Sequence, residues 1–253
     1  MSQLNATDLP GAEIVGADLQ GAWLREVDLR GAHIRGANLT GAEIDGQIDG
    51  LTIHGIEVAP LVEAELDRRH PERAALRAVD ADSFRSGWAS LEAMWAPTIE
   101  RVAALPAETA EASVDGEWSF AQTLRHLVFA IDVWLGDAVA HREQPYHRYG
   151  EPFSGWREKA SAVGIELGAH PPYQEVLELR AERVAMVRDY LASATDDQLD
   201  EGGRQPFFVS HPFTVRQCLR IIFNEEWHHH RYAVRDLDAI AARDSERGPV
   251  SAS

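Results

Sequence analysis

Aliphatic residues recur at every fifth position along the first part of the chain. The column they form is Leu9, Ile14, Leu19, Leu24, Leu29, Ile34, Leu39 and Ile44. A period of five fits neither the 3.6 residues per turn of an α-helix nor the two-residue period of a β-strand. Small residues, mostly alanine, precede this column by two positions, and glycine recurs beside them. Because five residues bury nothing alone, the regularity predicts repeating units that coil and stack their apolar columns.

From residue 59 onward the glycines become rare and the apolar residues follow helical spacing. The pattern predicts a short helix around residues 61–69, which Pro71 ends. Four long helices are predicted at about 82–104, 119–139, 173–194 and 214–242, with Ser119 and Thr214 as N-cap residues. Residues 142–172 hold four prolines and are predicted to form a long irregular crossover over a functional part of the domain.

These segments predict a mainly α protein in which a four-helix bundle follows a repeat module. We expect a repeat segment at 1–58, a linker with a short helix at 59–80, the bundle at 81–242 and a flexible tail at 243–253. The chain of 253 residues, 45% of them hydrophobic, is long enough for one domain and a smaller module.

The net charge of the chain limits which classes of partner it is expected to bind. The 24 Lys and Arg residues against 41 Asp and Glu residues give a net charge of −17, which repels a phosphate backbone, so no nucleic-acid partner is expected. No window reaches the roughly 18 apolar residues that a membrane-spanning helix needs. The single cysteine, Cys218, forms no internal disulfide, and no secretory signal pattern opens the chain. A cytoplasmic location is therefore expected.

Polar residues interrupt the apolar stripe of the last long helix. Glu225 and His229 share one side with Ile222, where an unsatisfied carboxylate or imidazole would cost several kcal/mol. A metal ion would satisfy both, because side chains four residues apart lie one above the other. The pair Glu226 and His230 has the same spacing, and periodicity does not choose between the two pairs.

A third ligand is expected from a facing helix, and His126 is the other histidine inside a predicted long helix. Two histidines and one glutamate leave coordination positions open, which fits Zn²⁺ or another divalent transition metal. The alternative is that these histidines are hydrogen-bonded core residues and that the glutamates pair on the surface with Arg231 and Arg235. Arg125 and these two arginines are also candidates to hold an anionic substrate.

The first segment resembles the pentapeptide-repeat family, whose unit is Ala, then Asp or Asn, then Leu, then two variable residues. The units here read AEIVG, ADLQG, AWLRE, VDLRG, AHIRG, ANLTG and AEIDG. The resemblance implies a right-handed square β-helix with four units per coil, so residues 7–46 make about two coils.

The later segment resembles the DinB-like superfamily of four-helix proteins over about residues 80–242. The matching stretches are WSFAQTLRHLVFAIDVW at 118–134 and NEEWHHHRYAVRDLDAI at 224–240. The resemblance implies a metal triad with one ligand from the second helix, which falls on His126, and two from the fourth. The fourth-helix ligands fall best on Glu225 and His229, with Glu226 and His230 as second choice.

A carboxylate and histidine pair resembles the branch that contains mycothiol-dependent maleylpyruvate isomerase. It implies a thiol S-transferase or isomerase that uses a low-molecular-weight thiol and an electrophile, with Zn²⁺ as metal and Ni²⁺ or Fe²⁺ as alternatives. Candidate residues of the cosubstrate pocket are Trp118, Arg125, Arg231 and Tyr232. Cys218 is expected to be a buried core residue, and no catalytic residue is assigned. DinB-like relatives are often dimers, so a homodimer is expected.

A second hypothesis is a non-catalytic protein. In that case the metal site is structural or vestigial, and the repeat segment contacts a partner in a stress-response or interaction role.

Overall fold

The computed structural model describes residues 11–25, 27–206 and 211–247, and it is mainly helical. A short antiparallel hairpin, β1 (Thr52–Ile53) with β2 (Ile56–Glu57), precedes the helices. The α-helices are α1 (Ala59–Arg69), α2 (Ala81–Ala103), α3 (Phe120–Ile131), α4 (Arg157–Ala160), α5 (Tyr173–Ser193), α6 (Asp196–Leu199) and α7 (Val215–Arg247). The short helix and the four long helices expected from the periodicity are all present.

The chain divides into two compact units, and the first of them ends at Glu43. Its described residues form a series of tight turns, in which three backbone N–H groups donate to the carbonyl three residues back at 3.0 Å, those of Ala22, Ala32 and Ala42. The aliphatic column is exposed, from 52% at Leu39 to 70% at Ile14, and Leu9 lies outside the described residues. No strand is assigned within residues 11–25 and 27–46, so the β-helix stays a prediction.

Reciprocal side-chain hydrogen bonds form at the start of three of the four long helices. Ser119 Oγ accepts from the Gln122 N–H at 3.3 Å, and Gln122 Oε1 accepts from the Ser119 N–H at 3.0 Å. Asp80 and Ser83 make the same arrangement at the start of α2. Thr214 and Gln217 repeat it before α7. The predicted N-caps at Ser119 and Thr214 are therefore confirmed, and each satisfies backbone donors that a helix start leaves open.

Replacing Ser119 by alanine should lower the free energy of unfolding by about 1 kcal/mol, because the Gln122 N–H loses its acceptor at a buried helix start. Urea denaturation of the purified protein measures this. Ser90→Ala is the control, since the exposed Ser90 hydroxyl donates only to the Ser86 carbonyl within α2 and a change within about 0.5 kcal/mol is expected there. Equal losses in the two variants would contradict the capping role.

The four long helices pack in a ring whose order is α2, α5, α3, α7. Helix α3 is the most buried of them, since every residue except Gln122 is buried. The core between the helices is made of large apolar side chains with almost no exposed surface, including Phe84, Trp88, Leu124, Leu127, Ile131 and Phe223. Trp88 and Trp95 also lie in the core. The ring brings α3 and α7 side by side, and this contact positions the polar residues described below.

A long crossover connects α3 to α5 and lies against α3. It begins with a π-helical turn, Asp132–Asp137, and contains Trp156, whose buried ring meets Phe129 at 4.9 Å between centroids. The buried Asp132 carboxylate accepts from Arg183 Nε at 2.6 Å and from the His147 N–H at 2.9 Å. Burial raises the pKa of Asp132 to about 6, although Arg183 opposes the shift. The carboxylate thus fastens the crossover to both α3 and α5.

Helix α7 extends to Arg247, five residues beyond the end predicted at about residue 242. An ion pair between Arg243 and Asp115, with N and O atoms 3.1 Å apart, holds the added turn to the segment before α3. Residues 248–253 of the predicted tail lie outside the described residues. Among the described helices, none combines the length and the apolar character needed to cross a membrane.

Candidate metal centre

Three polar side chains converge where α3 packs against α7. Glu225 Oε2 lies 3.4 Å from His126 Nε2 and 3.1 Å from His229 Nε2. One ligand atom from each of these residues lies within 4.8 Å of the other two. Glu225 and His229 are one turn apart on α7, and His126 faces them from α3. The structure therefore brings together the first-choice triad of the sequence analysis.

The separations match those between ligands of a small cation. Bonds of about 2.0–2.1 Å arranged tetrahedrally around Zn²⁺ place two donor atoms about 3.3 Å apart. The two distances to the Glu225 carboxylate lie on either side of this value. His126 is buried, whereas the Glu225 side chain keeps 34% of its surface exposed, so one side of the cluster is open to a small molecule.

The second ring nitrogen of His126 is held by a backbone carbonyl. His126 Nδ1 lies 2.9 Å from the carbonyl oxygen of Glu151 in the crossover. A carbonyl oxygen only accepts hydrogen bonds, so Nδ1 must carry the proton and donate it. In the neutral ring this leaves the Nε2 lone pair directed at Glu225. Metal-binding histidines in proteins usually have this arrangement.

The electrostatics of the cluster favour the metal-binding forms of Glu225 and His229. Burial opposes ionisation of Glu225, but its contacts with the His126 and His229 rings outweigh burial and hold the pKa of Glu225 well below its usual range. Burial lowers the pKa of His229, although Glu225 counters the shift. A carboxylate and a neutral imidazole are the forms that coordinate a cation.

Trp118 forms one wall of the cluster. Its indole lies 4.5 Å from the His126 ring and 5.9 Å from the His229 ring, nearly parallel to the latter. The side chain is half-buried, so one part contacts the candidate ligands and another reaches solvent. Trp118 therefore lines the cluster next to its solvent-exposed side.

The family comparisons agree with this architecture. The model of the DinB superfamily matches residues 90–233, more than half of the chain. The chain belongs to the DinB superfamily. The matched range contains His126, Glu225 and His229, and the superfamily as a whole is metal-binding and fits a broad family of metal-dependent enzymes. A model of pentapeptide repeats matches eight copies over residues 12–46, which confirms the repeat segment. No curated protein and no solved structure matches the chain significantly.

The second-choice pair of the DinB domain does not join His126. Glu226 is fully buried and lies 2.5 Å from Arg180 Nη2 on α5. His230 Nε2 lies 2.9 Å from the Thr98 hydroxyl on α2. One residue along a helix turns a side chain by about 100°, so this pair faces α5 and α2 while Glu225 and His229 face α3.

Arg125, expected in a cosubstrate pocket, instead binds the crossover. Its side chain is 3% exposed, and its Nε and Nη1 donate at 2.7 Å to the carbonyls of Tyr149 and Ala169. Its Nη2 lies 2.9 Å from the Glu151 carboxylate. These contacts hold the buried guanidinium against the crossover, so the expectation that Arg125 meets a cosubstrate finds no support in the geometry.

The other two expected cosubstrate residues lie on α7 beside the cluster. Tyr232 packs edge-on against the His229 ring, and its hydroxyl donates to Asp45 at 2.9 Å. The Arg231 guanidinium lies over the Trp227 ring, 4.9 Å from its centroid. Tyr232 and Trp118 therefore contact candidate ligands directly, whereas Arg231 packs on the core aromatic of its own helix.

Sequence reasoning missed Glu151. Its contribution to the site is a backbone carbonyl, which every residue type carries, so no side-chain pattern signals it. The prediction that residues 142–172 cover something functional is the nearest signal, and the carbonyl on His126 comes from that crossover.

Proposed function

We propose that the DinB domain holds a divalent transition metal ion on His126, Glu225 and His229. The observation that supports this most is the 3.4 Å approach of His126 Nε2 to Glu225 Oε2, combined with the Nδ1 contact to the Glu151 carbonyl. With its proton on Nδ1, a neutral His126 would direct a lone pair at a carboxylate oxygen. Two acceptors at that distance repel each other unless a cation lies between them.

The donor set fits Zn²⁺, with Ni²⁺ and Fe²⁺ as alternatives. Imidazole nitrogen and carboxylate oxygen both suit these ions, and softer thiolate ligands are absent from the cluster. Three protein ligands leave a coordination position for water or substrate, as in catalytic rather than structural zinc sites. The exposed part of Glu225 gives a small molecule access to that position.

We further propose that the reaction is a thiol-dependent S-transfer or isomerisation, with mycothiol as the expected thiol and a small electrophile as its partner. When bound, the ion would lower the pKa of a coordinating thiol, which makes the thiol a better nucleophile at neutral pH. Trp118 and Tyr232 would line the cosubstrate side, since both contact the candidate ligand rings. We also propose a cytoplasmic location and a homodimer, as expected from the sequence.

The protein's own cysteine does not serve as the nucleophile in this proposal. Cys218 lies about two turns before Glu225 and is completely buried. Burial raises its pKa to about 12, so the thiol stays protonated and inert at neutral pH. The prediction that Cys218 is a small core residue is confirmed. The reacting thiol must therefore come from a cosubstrate.

The proposed thiol should raise the melting temperature of the metal-loaded protein. A ligand at 100 times its dissociation constant stabilises the folded state by about 2.7 kcal/mol, which corresponds to a rise of roughly 5–11 °C for a chain of this size. Thermal unfolding is followed with mycothiol, glutathione and cysteine, each on metal-loaded and metal-stripped protein. A rise confined to the loaded protein supports the proposal, whereas no rise with any thiol argues against thiol chemistry.

A second candidate function is a non-catalytic metal-binding protein whose repeat segment contacts a partner. The exposed aliphatic column, 52–70% accessible along the described repeats, favours this candidate because contiguous apolar surface marks interaction sites. In the alternative arrangement, the right-handed β-helix that we propose from the sequence, stacking of the coils would bury this column, and the second candidate would lose this support. Metal-loaded protein that binds no thiol but associates through residues 12–46 would favour this candidate over the enzyme.

A further inference from the structure

We propose that the buried Arg125–Glu151 ion pair is a positioning element that holds the Glu151 carbonyl on His126 and so sets the His126 ring for metal binding. The inference rests on the proposed metal centre. It concerns two residues that lie outside the ligand set and that act through His126.

Three contacts join Glu151 to two consecutive residues of α3. Its N–H donates to the Arg125 carbonyl at 3.2 Å, and its carboxylate lies 2.9 Å from Arg125 Nη2. Its carbonyl accepts from His126 Nδ1 at 2.9 Å. Both side chains of the ion pair are 3% exposed, so water does not replace either partner. The orientation of the Glu151 peptide, and with it that of the His126 ring, depends on this pair.

Arg125 also binds two parts of the crossover that are distant in the sequence. Its Nε and Nη1 donate to the carbonyls of Tyr149 and Ala169, which are 20 residues apart in the chain. A Cβ added to Gly150 would lie 3.4 Å from the Phe129 Cβ of α3, which is van der Waals contact. The crossover therefore packs on α3 next to the candidate ligand.

The charge of the pair matters as well as its geometry. Arg125 is adjacent in sequence to His126, so its guanidinium is a buried positive charge near the proposed cation. The Glu151 carboxylate, whose other oxygen lies 3.3 Å from Arg157 Nη2, offsets that charge. Removing the carboxylate would leave an unpaired cation in a poorly screened environment, where it would repel a metal ion. Loss of position and loss of neutralisation therefore act in the same direction.

The chain offers a matched control on the same crossover. The Asp132 carboxylate is as buried as that of Glu151, pairs with Arg183 and accepts from the His147 N–H. It fastens the crossover, but its hydrogen bonds go to Arg183 and His147 and not to His126, Glu225 or His229. A substitution of Asp132 therefore weakens the attachment of the crossover without removing a contact to the candidate ligands, and it shows whether Glu151 acts only by holding the crossover in place.

The test compares Glu151→Gln with Asp132→Asn in the full-length protein. Zn²⁺ affinity is measured by competition with a chelating dye, and the visible spectrum of the Co²⁺-loaded protein reports ligand geometry. Outer contacts of metal ligands typically account for a 10- to 100-fold change in affinity. We expect Glu151→Gln to weaken Zn²⁺ binding by about this factor and to alter the Co²⁺ spectrum. Asp132→Asn should leave the affinity within about 3-fold and the spectrum unchanged.

Each outcome separates the two proposals. If the unaltered protein binds no metal, the metal centre itself is wrong. If it binds metal and Glu151→Gln binds equally well, the metal centre stands and the positioning role is wrong. Equal weakening in both variants would show general loosening and would also overturn the positioning role. Should Glu151→Gln fail to fold, Arg125→Met with Glu151→Leu removes both charges and is expected to fold, with only the part of the affinity loss that comes from lost positioning.

Discussion

Replacing His126 by alanine is expected to abolish tight metal binding while the bundle still folds. His126 supplies the ligand from α3, and without it the two remaining donors both come from one turn of α7. Even outer contacts of a ligand are worth 10- to 100-fold in affinity, so loss of the ligand itself should exceed about 100-fold. Elemental analysis of the purified variant and a Zn²⁺ titration measure the effect. Circular dichroism verifies the helical content.

His230→Ala is the control for this prediction. His230 lies one residue after His229 on the same helix, but its ring meets Thr98 on α2 and faces away from His126. The His230→Ala variant should therefore keep the metal affinity of the unaltered protein. Wild-type affinity in His126→Ala would overturn the assignment, and loss of metal in His230→Ala would return the second-choice pair to consideration.

Replacing Glu226 by methionine is expected to cost about 3–5 kcal/mol of stability, because it leaves the Arg180 charge buried and unpaired. Glu226 and Arg180 are 1% and 4% exposed, and their ionic atoms lie 2.5 Å apart. Burial raises the pKa of Glu226, and the charge of Arg180 counters this rise. The carboxylate therefore needs its partner to be stable in the ionised form. With about 2–4 °C per kcal/mol for a chain of this size, the melting temperature should fall by roughly 6–20 °C.

Two further variants show whether burial causes this loss. Arg180→Met combined with Glu226→Met removes both charges and should restore most of the stability, because a buried pair is often replaceable by apolar residues. Asp238→Asn breaks the exposed pair of Asp238 with Arg101, which joins α2 and α7, and should cost at most about 1 kcal/mol. Calorimetry that finds equal losses for Glu226→Met and Asp238→Asn would contradict the role of burial.

Local sequence predicts the helices of this protein well, because their starts depend on neighbouring residues. Ser119 and Gln122 are three residues apart, and their reciprocal hydrogen bonds need no distant partner. The apolar spacing likewise determines which side of each helix is buried. The end of α7 is less predictable, since the Arg243–Asp115 ion pair that supports it joins residues far apart in the chain.

The candidate site is only partly predictable in the same way. Spacing by four on α7 offers two equivalent pairs, and the rotation of α7 against α3 distinguishes them. That rotation follows from packing of the whole bundle, in which Glu226 meets Arg180 and His230 meets Thr98. Family resemblance favours Glu225 and His229 over the other pair, and the geometry agrees.

By itself, then, the sequence determined the helical segments, the five-residue repeat and the residue types able to bind a metal, since these depend on local periodicity and side-chain chemistry. The tertiary structure alone decided which imidazole nitrogen faces the carboxylate and whether Arg125 meets a cosubstrate or the crossover. Both depend on the backbone carbonyls of Tyr149, Glu151 and Ala169. A carbonyl is common to all residue types, so only the folded path of the chain reveals its position.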